Sequence, residues 1–186
     1  MGRRKVIEWL VDFLAEGKKI IIGKTEIEKN LFHRGRMLLL DCVVITNNQV
    51  KGEFTVTHEV CEGHEPISGF PVFRGVDIVE MGFQLLGVFL AKNPAITPLL
   101  RDKKIAAREI ISVKFSGFIF PGDVVMLEMG VKDVYIEESR SFVLIGSGRI
   151  IAKVGGEKKS TISSLVLMAF NQDAVRNNNS SNAEAD

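Results

Sequence analysis

The stretch EGHEPISGFPVFRGVDIVEMGFQLLGVFLAKN, residues 62–93, decides how the chain is read. Its second half carries Val76, Val79, Phe83, Leu86 and Leu90 on one helical face until Asn93-Pro94 stops the pattern, which predicts the longest and most apolar helix of the chain. Its first half is a Pro- and Gly-rich turn headed by Gly63-His64. His64, Asp77, Glu80 and Gln84 crowd into this segment, although each polar group costs free energy when it leaves water unpaired. The segment reads as a site as well as a core element.

On the N-terminal side, Val6, Leu10, Phe13 and Leu14 recur at helical spacing and predict a short amphipathic helix that ends at Gly17. A connector leads to the apolar run Met37–Leu40 and the β-branched Val43, Val44 and Ile45, which read as a strand. Asn47-Asn48 is a turn signal, and QVKGEFTVTHEV alternates well enough to complete a β-hairpin, with His58 outward on its second strand. On the C-terminal side AAREIISVKFSGFIF, VVMLEMGVKDVYIE, SRSFVLIGSGRIIAKVGG and KSTISSLVLMAF are strand-like, and the first two are separated by a PGD turn. Several strands following one apolar helix predict an α+β domain in which a curved antiparallel sheet wraps one long central helix. The expected organisation is an N-terminal helix and connector over 1–27, the domain over 28–170, and a polar, disordered tail over 171–186.

Composition narrows the function classes. A chain of 186 residues with 46% hydrophobic content can bury one sizeable core. Twenty-four basic against 23 acidic residues, a formal net charge of +1, give no reason to expect nucleic acid as a partner. Cys42 and Cys61 have no metal-ligand spacing and read as buried thiols. Acidic residues interrupt the N-terminal apolar run and no segment approaches the roughly 20 apolar residues of a membrane span, so a cytoplasmic protein without membrane contact is expected.

Three ordered motifs carry a resemblance. GHEPISGFPVFRGVDIVEMGFQLLG resembles the central motif of the hot-dog-fold 3-hydroxyacyl-acyl-carrier-protein dehydratases, the FabZ-type enzymes of bacterial fatty-acid synthesis. LFHRGRMLLLD (Leu31–Asp41) is similar to that family's His-Arg segment, and FIFPGDVVMLEM (Phe118–Met129) to its PGD strand entry. The resemblance spans roughly residues 28–168. It implies His64 as catalytic histidine, Glu80 as catalytic acid, Gln84 as the glutamine one turn later, and Gly75 as the helix-entrance glycine whose amide holds the thioester carbonyl. It also implies a homodimer joined through an extended sheet, in which the histidine of one subunit meets the acid of the other, with further assembly into a trimer of dimers left open. The implied partner is acyl carrier protein bearing a 3-hydroxyacyl-phosphopantetheine.

The chemistry agrees with those roles. Dehydration of a 3-hydroxyacyl thioester needs a base for the C2 proton, stabilisation of the enolate-like oxygen, and an acid for the departing hydroxyl. Histidine titrates near neutrality and suits the first task. The amides of Gly75 and Val76 stand at the positive end of the long helix and suit the second. Burial should raise the pKa of Glu80 and keep it protonated for the third, with Gln84 at i+4 orienting its carboxyl. No metal or organic cofactor is required.

Other readings stand beside this one. Asp77, Glu80 and Gln84 follow i, i+3, i+7 and could form the wet stripe of an amphipathic helix, although Gly82 and Gly87 fit close packing beneath a sheet better. His33, Arg34 and Arg36 read as a solvated loop, with contact to an acidic carrier protein as the alternative. Cys61 lacks an orienting third group and reads as buried, not as a nucleophile. The sequence departs from the family pattern in Glu65, in a turn about two residues longer, and in Arg74 and Asp77, which put charge near the site mouth. Three functions follow: a dehydratase, a hot-dog acyl thioesterase, or a non-catalytic acyl-binding scaffold.

Overall fold

The computed structural model describes residues 4–5, 19–46, 49–94, 96–137 and 142–171. The alternating and β-branched segments form strands β1 (Arg4–Lys5), β2 (Ile20–Gly23), β3 (Cys42–Ile45), β4 (Val50–Thr55), β5 (Lys103–Phe115), β6 (Val124–Glu137), β7 (Phe142–Val154) and β8 (Glu157–Asn171). These pair antiparallel in the order β2-β3-β4-β6-β7-β8-β5, and β1 also pairs with β6. Helices α1 (Lys24–Asn30) and α2 (His58–Cys61) precede the long helix α3 (Gly75–Lys92).

Helix α3 packs against β3, β4, β6, β7 and β8. It buries Ile78, Met81, Leu85, Leu86, Phe89 and Leu90, against which β4, β6 and β8 set Phe54, Leu127, Met129, Leu165 and Leu167. Each such side chain contributes on the order of 1.5–3 kcal/mol by leaving water. Close approach depends on Gly82, where a Cβ would stand 2.7 Å from Leu165 Cδ1. The register between β6 and β7 shifts between Met129 and Val131, a bulge of the kind that bends a strand. The result is the expected α+β architecture, a curved antiparallel sheet packed on one long central helix: the hot-dog fold.

The PGD motif closes the turn before β6. Pro121 and Gly122 (φ +93°) occupy the two central positions, and the Asp123 carboxylate accepts a 2.8 Å bond from the Phe120 N–H. Reciprocal backbone bonds of 2.8–2.9 Å from Gly122 N–H to Val56 and from Val56 N–H to Asp123 tie the turn to the end of β4.

Several expectations need correction. His58 is not on a strand: the Thr57 hydroxyl caps the helical turn His58–Cys61 by accepting from Val60 N–H, so β4 stops at Thr55. Lys24–Asn30, which straddles the expected end of the connector at residue 27, is helical, held by the buried Ile27 and by a Lys92–Glu26 ion pair to the far end of α3. Val76 is not on the buried face of α3 but 66% exposed; in the first turn it is Asp77 and Ile78 that are buried. Cys61 is buried, whereas Cys42 is only half-buried. The N-terminal helix and the polar tail fall almost wholly outside the described residues; of the former, Arg4 and Lys5 are extended and pair with Ile136 and Tyr135, and of the latter, Asn171 ends β8.

Candidate active site

Gly63, at φ +75°, turns the chain out of α2 and presents His64. The His64 N–H donates to the Cys61 carbonyl, and the His64 carbonyl accepts from Val72 N–H at 2.9 Å. The ring then closes the loop on itself, with Nδ1 2.8 Å from the Val72 carbonyl oxygen. A carbonyl can only accept, so Nδ1 carries the hydrogen and Nε2 keeps its lone pair. The half-buried imidazole is thus held in the tautomer that a base needs. Away from these bonds the loop makes an exposed turn at Ile67–Phe70, closed by a 2.8 Å bond from Phe70 N–H to the Ile67 carbonyl.

Helix α3 begins at Gly75 without a side-chain cap from Arg74, so its first N–H groups, those of Gly75 and Val76, are left to other partners. Gly75 is also required sterically: a Cβ there would meet the Phe115 ring at 2.7 Å. Arg74 and Asp77, the two charged departures from the family pattern, neutralise each other through two 2.8 Å bonds. Burial raises the pKa of the neighbouring Cys61 thiol and the Asp77 carboxylate adds to the effect, which suits an inert core thiol.

Further along the helix, Glu80 and Gln84 are joined as the i,i+4 spacing predicts, Gln84 Nε2 donating to Glu80 Oε1 at 3.0 Å. Gln84 is buried and fully engaged: its Oε1 accepts from Leu39 N–H at 2.9 Å and its Nε2 also donates to the Met37 carbonyl at 2.8 Å. The burial expected for Glu80 is partial, since 33% of its side chain is exposed in the single chain. A residue read from sequence as part of a solvated loop completes the group: His33 Nε2 lies 2.9 Å from Glu80 Oε1. Its separation of 47 positions from Glu80 left no periodic signal to find it. Arg34 is exposed and bonds its own segment, at the carbonyls of Leu31 and His33.

His33, Glu80 and Gln84 line a cleft of about 1050 Å³ that continues past Phe83, Leu90 and Ile105. From Glu80 to Ala91, both in its wall, the helix rises roughly 16 Å. The cleft therefore places a carboxyl group beside an elongated, largely apolar space. No hydrogen bond or ion pair joins His64 to Glu80 within the chain among the described residues. The same residues contain no cluster of three or more potential metal ligands, and no helix long and apolar enough to cross a membrane.

Comparison with known proteins places the chain in context. A family model described as a FabA-like domain matches residues 31–159. The 3-hydroxyacyl-[acyl-carrier-protein] dehydratase FabZ of Ligilactobacillus salivarius is 37% identical over 141 residues, covering 74% of this chain and 91% of that protein. The FabZ proteins of Koribacter versatilis and Oenococcus oeni are 30% and 32% identical, each over 77% of this chain and over 89% and 97% of their own lengths.

Proposed function

The chain belongs to the FabA-like family, among its FabZ-type dehydratases, and from that premise we propose that His64 and Glu80 carry the reaction of a 3-hydroxyacyl-[acyl-carrier-protein] dehydratase. The enzyme is a hydro-lyase of fatty-acid synthesis that converts the 3-hydroxyacyl thioester to the trans-2-enoyl thioester and water. The observation that carries the assignment is the Glu80 carboxyl at a long apolar cleft, bonded on one oxygen by Gln84 and approached there by His33.

His64 Nε2 takes the C2 proton, and the electron pair of the C–H bond passes through an enolate to form the C2–C3 double bond. The N–H groups of Gly75 and Val76 receive the charge that develops on the thioester oxygen. As the C3–O bond breaks, Glu80 gives its proton to the hydroxyl, which leaves as water. The acyl chain lies along Phe83 and Leu90 in the cleft.

No hydrogen bond or ion pair joins His64 to Glu80 within one chain among the described residues, and a homodimer supplies the missing half of each site. Among the described residues the edge strand β5 pairs only with β8, and it exposes Ile110, Ile111 and Phe115, which supports sheet extension across a two-fold axis. The reading includes acyl carrier protein as partner and a cytoplasmic setting. Hydration of a crotonyl thioester, followed by loss of enoyl absorbance, tests it: activity that falls by orders of magnitude in both His64→Ala and Glu80→Gln is the expected result. A folded dimer inert on short and long chains would overturn it.

A further inference from the structure

We propose that His33 is a positioning residue for the acid: its Nε2, 2.9 Å away, and the donating Nε2–H of Gln84 both face Oε1 of Glu80, which confines the transferable proton to Oε2. The inference rests on the dehydratase reading above and adds a residue to it.

The direction of the Gln84 bond, and the polarity of the close His33 contact, follow from their surroundings. The Gln84 amide is oriented by the Leu39 N–H, which requires an oxygen, and by the Met37 carbonyl, which requires an N–H. Its nitrogen must therefore face Glu80. For His33, Nδ1 is buried without a hydrogen-bond partner among the described residues. An N–H at that atom would lose its water for nothing, so the ring hydrogen belongs at Nε2, 2.9 Å from Glu80 Oε1. Phe32 stacks on the ring with centroids 4.2 Å apart, and only 15% of the His33 side chain is exposed.

Two donors on one carboxyl oxygen leave the other to carry the hydrogen. Glu80 Oε2 makes no hydrogen bond among the described residues and is the atom available to the substrate hydroxyl. When the C3–O bond breaks and the Oε2 proton completes the departing water, the charge left on the carboxylate already faces two N–H groups. No reorganisation of the site accompanies the transfer. His33 touches neither the breaking nor the forming bonds; it acts through Glu80.

The test compares His33→Ala, His33→Gln and His33→Asn in the full chain. A glutamine can offer an amide N–H near the position of Nε2, whereas asparagine is too short. His33→Ala and His33→Asn are expected to lower kcat about ten- to a hundredfold, the range for a bond to a group that becomes charged, with KM and melting temperature unchanged. His33→Gln should recover to within a few-fold of wild type. Wild-type kcat in His33→Asn, or equal loss in His33→Gln and His33→Asn, would overturn the proposal, and that pair decides it should His33→Ala fold poorly. Ring ¹⁵N spectra of His33 judge the contact without any turnover. A protected Nε2–H signal that is lost in Glu80→Ala supports it, and a spectrum indifferent to that change overturns it, even if the wild type proves inert on thioesters and the dehydratase reading fails.

Discussion

Arg74 and Asp77 form a two-bond pair across the first turn of α3, with Nε to Oδ2 and Nη2 to Oδ1 both at 2.8 Å. Asp77 is buried and Arg74 half-exposed, so the arginine covers a carboxylate that would otherwise lack a cationic partner. Removing Arg74 alone should cost about 1–3 kcal/mol, the range for stranding a buried charged group. Replacing both, as Arg74→Pro with Asp77→Ile, should recover most of that loss, because φ at Arg74 is −69° and already suits proline. Urea unfolding of the two single variants and the double variant measures the coupling.

Gln84 holds three groups at once. Gln84→Leu strands the Leu39 N–H and the Met37 carbonyl in addition to freeing Glu80, and should cost about 2–4 kcal/mol together with most of the activity. Gln84→Glu keeps the acceptor for Leu39 but sets a second carboxylate beside Glu80, and should not restore turnover. Denaturation midpoints and steady-state kcat check both.

At Gly82 a methyl group would press on Leu165 Cδ1. Overpacking costs roughly 1–3 kcal/mol and better helix propensity returns roughly 1, so Gly82→Ala should lower the melting temperature modestly. Adding Leu165→Ala should make the two losses less than additive. Calorimetry of the three variants decides.

The Glu26–Lys92 pair fastens α1 to the C-terminal end of α3. The hydrogen bond from Lys92 holds the Glu26 carboxyl below its ordinary value of 4.5, with the lysine's charge as the next cause. A depressed folded value means that the stabilisation is fully present above the unfolded value and lost as pH falls through the folded one. Lys92→Met should therefore be less stable than wild type at pH 7, and the difference should shrink as pH falls below 4.5 and through the depressed folded value. Urea midpoints across that range give the answer.

Charge on the exposed edge should prevent assembly. Ile110→Lys or Ile111→Lys in β5 is expected to give a folded monomer with little activity, since each site would lose its partner's histidine. Sedimentation and the crotonyl assay, run on the same preparations, test both halves of the statement.

The fold was largely legible in the sequence because its elements have clean periods. Residues 76–92 repeat at helical spacing and are helical; 42–45 and 50–55 form the expected hairpin, and the strand read over 124–137 has those limits in the structure. The errors fall where local pattern and tertiary context compete. His58 continues an alternating stretch, yet the Thr57 cap redirects it. Val76 fits the apolar face by spacing, but the side of the first turn that meets the core is the one carrying Asp77 and Ile78. The motif singled out His64, Glu80 and Gln84 as candidates, and the i,i+4 spacing predicts the Glu80–Gln84 bond that the structure shows. His33 was missed because its contact joins segments far apart in the chain, and no property of LFHRGRM distinguishes a ligand of Glu80 from a solvated histidine.

The amide of Gln84 that bonds Glu80 also fastens the backbone at Met37 and Leu39. Selection for foldability alone would therefore keep a glutamine at this position after catalysis had been lost. Its presence in a relative is a marker of architecture, and on the roles proposed above a decayed enzyme would be recognised instead at Glu80 and at the histidine that Gly63 presents.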